Sequence, residues 1–209
     1  MISRFFQRLF GGSTQEKLAW RIYGRAVMWA RQPVFYSKLN VADTIDGRFD
    51  MILLHLYIII RRLNIEQDTR DIQQLIQECM VTDMDRTLRE IGVGDMSVGK
   101  QVKRMVAAWL GRTKAYDEAL ADWPNVFDYA AVASVIERNV YRSDDDNDAN
   151  QPTSASADSL KLANYFKSAL EAIQTIPQDQ IAELGDEWPL DILADLDAVG
   201  SSDSKGDPK

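Results

Sequence analysis

Apolar residues recur along this chain at three- and four-residue intervals almost from end to end, the signature of helices that each bury one face. The first set is Ile2, Phe5, Phe6, Leu9 and Phe10, closed by Gly11 and Gly12. Over 15–32 the apolar positions are Ala19, Ile22, Tyr23, Ala26, Val27 and Ala30, and Pro33 is expected to end that helix, with a turn over 34–39. The next helix, expected over 47–63, is apolar on both sides. Phe49, Leu53, Leu56, Tyr57 and Ile60 mark one, and Met51, Leu54 and Ile58 the other. Such a helix belongs in the middle of a fold.

Ile72, Leu75, Ile76, Cys79 and Met80 form the following stripe. The phase then slips, and Met84, Leu88 and Ile91 open another. Thr82, with Asp85 three residues on, resembles a capping box, so a break or kink is predicted near Thr82. Gly92 and Gly94 suit a helix stop and a tight turn, and Ser97 is the expected cap of a helix carrying Val98, Val102, Met105, Val106, Trp109 and Tyr116. Tyr129, Ala133, Ile136 and Val140 mark a helix over 126–141. Leu162, Phe166, Ala169, Leu170 and Ile173 mark another, and a short one is expected over 190–196.

With no strand alternation, the fold class is all-α: a compact bundle of about seven or eight helices around a buried central apolar helix. The expected organisation is an amphipathic N-terminal helix over 1–12 and a helical domain over 13–142. An acidic linker over 143–158, a C-terminal helical segment over 159–198 and a disordered tail over 199–209 follow.

Charge divides this plan in two. Residues 1–116 hold 18 Lys and Arg against 12 Asp and Glu, a balance of +6. Residues 117–209 hold 6 against 20, a balance of −14, which together give the net −8. A mildly basic body suits anionic surfaces such as phospholipid headgroups or RNA, and an acidic end keeps the protein in solution. Two basic faces stand out: Lys17, Arg21 and Arg25, and Lys100, Lys103, Arg104 and Lys114 opposite the apolar stripe of their helix. The longest apolar run, Met51 to Ile60, is about 15 Å of helix and too short to span a bilayer. The set at Ile2, Phe5, Phe6, Leu9 and Phe10, with Arg4 and Arg8 off its face, is a candidate membrane contact; it equally suits a lid docked on the body.

Catalytic chemistry has little to work with. The single histidine, His55, lies in the most apolar helix, and the single cysteine, Cys79, on an apolar stripe, so both read as core residues. Neither a zinc site nor a Ser-His-Asp arrangement can be assembled from them, and no catalytic, metal-binding or cofactor-binding residue is assigned. Gly94-Asp-Met-Ser-Val-Gly99-Lys100 reads G-x-x-x-x-G-K, yet Gln101 stands where magnesium needs Ser or Thr, and helix rather than strand precedes it. Asp85 with Arg89 and Arg86 with Glu90 are i,i+4 pairs on a helix face. Asp43, Asp46, Arg48 and Asp50 crowd the entry to the central helix, where they either pin loops to the core or meet a partner.

Three stretches carry a resemblance: FYSKLNVADTIDGRFDMILLHLYIIIRRL (35–63), DMDRTLREIGVGDMSVGKQVKRM (83–105) and GRTKAY (111–116). They resemble the ubiquinol–cytochrome c chaperone family across well over a third of the chain, roughly 31–120. Its mitochondrial members help assemble the cytochrome bc1 complex, and alphaproteobacteria have shorter relatives. The resemblance implies a non-catalytic, all-helical assembly factor without a cofactor, whose client is cytochrome b or another membrane protein. It also implies nearness to the ribosome and a small helical partner protein. Asp43, Thr44, Asp46, Gly47, Arg48, Asp85, Arg86, Arg89, Glu90, Gly92, Gly94, Asp95, Gly99 and Lys100 fall on its characteristic positions.

A transit peptide is not evident, which suggests a bacterial member, cytoplasmic and peripheral on the inner membrane. The candidate protein-binding set is Asp43, Asp46, Arg48, Asp85, Arg86, Arg89, Glu90, Asp95, Lys100, Lys103 and Arg104. The rival expectation is a ribosome- or nucleic-acid-associated helical protein that uses the two basic faces.

Overall fold

Seven α-helices account for nearly all the secondary structure of the computed structural model, which describes residues 13–66, 69–141 and 155–185 together with Trp188 and Ile192. They are α1 (Thr14–Ala30), α2 (Pro33–Ser37), α3 (Ile45–Leu63), α4 (Arg70–Glu90), α5 (Asp95–Ala119), α6 (Tyr129–Val140) and α7 (Ala157–Gln174), followed by a 3-10 turn at Gln178–Glu183. The amphipathic segment expected at Ile2–Phe10, most of the acidic linker, the short helix at 190–196 (Ile192 apart) and the tail lie outside the described residues.

The all-α bundle is the one the apolar periodicity calls for, and α3 is its axis. Every residue from Leu53 to Ile60 is buried, so this helix needs cover on all sides. It receives it from α1, α5, α6 and α7, while α1 also packs on α4, α4 on α5, and α5 on α6. α7 begins at Ala157, two residues ahead of the expected boundary, and packs on both α3 and α6. Ser156 caps it, its hydroxyl accepting from Ser159 N at 3.1 Å, and Glu137 of α6 accepts from Ser156 N at 2.9 Å.

Several local expectations are corrected. Pro33 does not merely end α1: with its fixed φ and missing N–H it occupies the first turn of the short α2. α4 runs unbroken through Thr82, whose hydroxyl donates to Glu78 O at 2.8 Å instead of capping a new helix. Its buried positions, Ile72, Ile76, Cys79, Met80, Met84 and Leu88, make one stripe, so the apparent slip of phase is only the steady drift of a 3.6-residue turn. α4 ends as the two glycines suggest. Gly92 has φ +84°, its N–H donates to Arg89 O at 3.0 Å and Val93 N–H to Leu88 O at 2.9 Å, a Schellman stop. Gly94 then caps α5, which places Ser97 inside the first turn rather than at the cap. α6 starts at Tyr129, later than the expected 126, with the Asp128 carboxylate accepting from Ala131 N.

The lone histidine is a core residue. His55 is fully buried; Nδ1–H donates to Met51 O at 2.8 Å, which leaves Nε2 to accept from Tyr165 OH at 2.7 Å. That bond ties α3 to α7. Burial pushes the imidazole down to about 4 and the Tyr165 phenol up, so both are neutral. Cys79 is likewise a buried core thiol.

Candidate functional site

The junction of α4 and α5 gathers five of the eleven candidate protein-binding residues. Asp85, Arg86, Arg89 and Glu90 fall in the last two turns of α4, and Asp95 in the first turn of α5. Arg89 is the hinge pin. Its Nε donates to Asp85 at 2.7 Å and its Nη1 to Asp95 at 2.5 Å, so one guanidinium spans the Gly92 turn. Arg86 pairs with Glu90 at 2.7 Å. All five side chains stay well exposed, and exposed pairs add little to stability. Their geometry gives this end of the molecule an exposed zwitterionic edge.

Asp43, Asp46 and Arg48 form a second cluster at the start of α3. Thr44 caps the helix, accepting from Gly47 N at 3.1 Å, and Asp46 adds negative charge to its first turn. Gly47 is required here because a Cβ would sit 2.0 Å from Ala42 O. Arg48 Nε donates to Asp43 at 2.6 Å, and that hydrogen bond holds the Asp43 carboxyl below the usual range. The Asp43–Arg48 pair closes within this cluster, as the Arg89 pairs close within the α4–α5 junction.

Asp50, one turn further in, behaves differently. It meets Arg112 of α5 at 2.5 Å, with the two side chains 3% and 6% exposed, and Arg112 also lies over the Phe49 ring at 5.6 Å. This pair is a clamp inside the core and not a surface for partners. The sequence signal for it was present in GRTKAY, but nothing along the chain points from Asp50 to a residue so distant. Arg62, just beyond the apolar run, is another residue with a partner that no local pattern reveals. It is 7% exposed and donates through Nε and Nη2 to Ile176 O at 3.1 and 2.9 Å, closing the C-terminal end of α7.

The basic faces diverge. On α1, Arg21 pairs with Glu183 and Arg25 Nε donates to Ala182 O at 3.0 Å, so the 3-10 turn occupies much of that face. On α5, Lys100, Lys103 and Arg104 are exposed and have no ion pair among the described residues. The G-x-x-x-x-G-K stretch is helix from Asp95 onward, which leaves no loop whose amides converge on a phosphate. No group of His, Cys, Asp and Glu suited to a metal occurs among the described residues. An open groove of about 430 Å³ along α4, bordered among the described residues by Gln74, Gln77, Glu78, Val81 and Thr82, offers one carboxylate, already bonded by Gln74 at 3.0 Å.

The chain matches the Ubiquinol-cytochrome C chaperone family over residues 37–188, which extends the likeness beyond the 31–120 stretch to α6 and α7. No curated protein matches. Among solved structures, the crystal structure of the Cbp3 homolog from Brucella abortus superimposes with a TM-score of 0.64 at 28% identity, covering 87% of this chain and 93% of that one.

Proposed function

The chain belongs to the ubiquinol-cytochrome c chaperone family, and we propose that it is a non-catalytic assembly factor for the cytochrome bc1 complex. Its client in this reading is cytochrome b or another newly made membrane protein, received at the inner membrane face. The observation that carries the proposal is the family match across residues 37–188, which takes in both charged clusters and every helix of the body from α3 to α7. The physical picture supports it. A body braced by buried pairs such as Asp50–Arg112 keeps its shape while exposed, mutually oriented charges at the α4–α5 junction meet a partner. Shape and charge of this kind select a protein surface without any bond being made.

Deleting the gene tests the reading. Assembled bc1 complex is expected to fall while its transcripts persist, and re-expression of the wild-type chain should restore it. Unchanged bc1 levels in the deletion strain would remove the proposal.

A further inference from the structure

Residues 96–116, nearly the whole of α5, contain no carboxylate. Among them, Met96, Lys100, Lys103, Ala107, Leu110 and Lys114 follow one another four, three, four, three and four residues apart. At 3.6 residues per turn that spacing confines them to an arc of about 80°, on the side of the helix away from Trp109, Arg112 and Tyr116. All six are exposed, Met96 at 99% and Leu110 at 60%. The acids at the two ends are already engaged: Asp95 by Arg89, Asp117 by Tyr57 and Arg61, and Glu118 by Lys114. Between them the lysines face solvent with apolar side chains standing among them.

From this arrangement we infer that the outer face of α5 docks on an anionic phospholipid surface. The complementarity is one of charge and of shape. Lys100 to Lys114 span about 21 Å of a convex helix, which touches a plane along its length. Met96 and Leu110 reach past the headgroups while the lysine stems lie along them and keep their ammonium groups at phosphate level. A protein of net charge −8 is repelled by such a surface in most orientations, so this face also sets how the body sits. The inference rests on the geometry of α5 and stands whether or not the client is cytochrome b.

Flotation of the full chain with vesicles tests it, using phosphatidylcholine alone and phosphatidylcholine with a quarter phosphatidylglycerol. Binding is expected only with the anionic lipid, weakening as salt rises. Replacing Lys100, Lys103 and Lys114 together by Gln should reduce partition about 100-fold, near 5-fold for each lysine, with an unchanged thermal melt. Met96→Ser with Leu110→Ser should weaken binding and leave its salt dependence in place. Equal binding to neutral vesicles, or undiminished binding by the triple lysine variant, overturns the inference. So does loss of binding on Phe5→Ser with Phe6→Ser while the lysine variant floats like wild type, since the N-terminal segment would then be the contact. Capture of ribosomal RNA or of a polyglutamate helix without vesicle binding assigns the face to another partner and equally ends it.

Discussion

Asp50 and Arg112 meet at 2.5 Å in the interior, joining α3 to α5 across a sequence separation no local rule bridges. Both charges are almost wholly buried, and the Phe49 ring lies against the guanidinium. Such a pair is best understood by what happens when half of it is removed. Asp50→Ala or Arg112→Ala strands one buried charge, and either change should lower the unfolding free energy by about 3–5 kcal/mol. Asp50→Leu combined with Arg112→Met should recover much of that loss. Chemical denaturation of the three variants checks the pattern; a double variant no more stable than the singles would contradict it.

His55 makes stability depend on acid. Its folded value of about 4 lies below the ordinary 6.5, so the unfolded chain takes up a proton first as pH falls. The contribution is fully present above pH 6.5 and is lost as pH drops from there toward 4. At pH 5 the loss should be about 2 kcal/mol. His55→Phe is expected to be less stable at neutral pH, because Tyr165 OH loses its acceptor, yet to show a shallower decline through this window. Denaturant midpoints measured at pH 7, 6 and 5 for the two proteins make the comparison.

How much of this was legible beforehand depended on the range of the interaction. The central helix announced itself, since a ten-residue apolar run flanked by charges can only be buried. The Gly92 stop was equally local, for its hydrogen bonds close within five residues. The imagined break at Thr82 came from reading a drifting stripe as two stripes; Thr82 itself simply bonds back to Glu78. Arg21 and Arg25 read as a free basic face because what covers them, Glu183 and Ala182, arrives from the far end of the chain. The exposure of Met96 and Leu110 was hidden for the same reason. An apolar residue says that burial is favourable, not that a neighbour exists to provide it.

Glycines offer a sharper test of the packing. At Gly47 a Cβ would lie 2.0 Å from the Ala42 carbonyl oxygen, and backbone on both sides leaves little room to yield. Gly47→Ala should therefore destabilise by about 2 kcal/mol or more. Gly24, in the middle of α1, has nothing within 4 Å of the same added atom. Gly24→Ala should stabilise by about 0.5–1 kcal/mol through the lower entropy of the unfolded chain. Thermal melts of the two variants must move in opposite directions.

Arg89 separates architecture from recognition. It spans the Gly92 turn from Asp85 to Asp95, but all three groups are open to solvent, where screening leaves ion pairs weak. Arg89→Ala is accordingly expected to fold and melt like wild type. Its effect should appear in the cell instead, as a fall in assembled bc1 complex when the variant replaces the wild-type chain. Reversing Arg86 and Glu90 together, as Arg86→Glu with Glu90→Arg, keeps a pair at that site while inverting the pattern a partner meets. The swapped variant should also fold normally and assemble less complex. Full assembly by both variants would confine the α4–α5 junction to a structural part and leave the docking surface to be found elsewhere on the body.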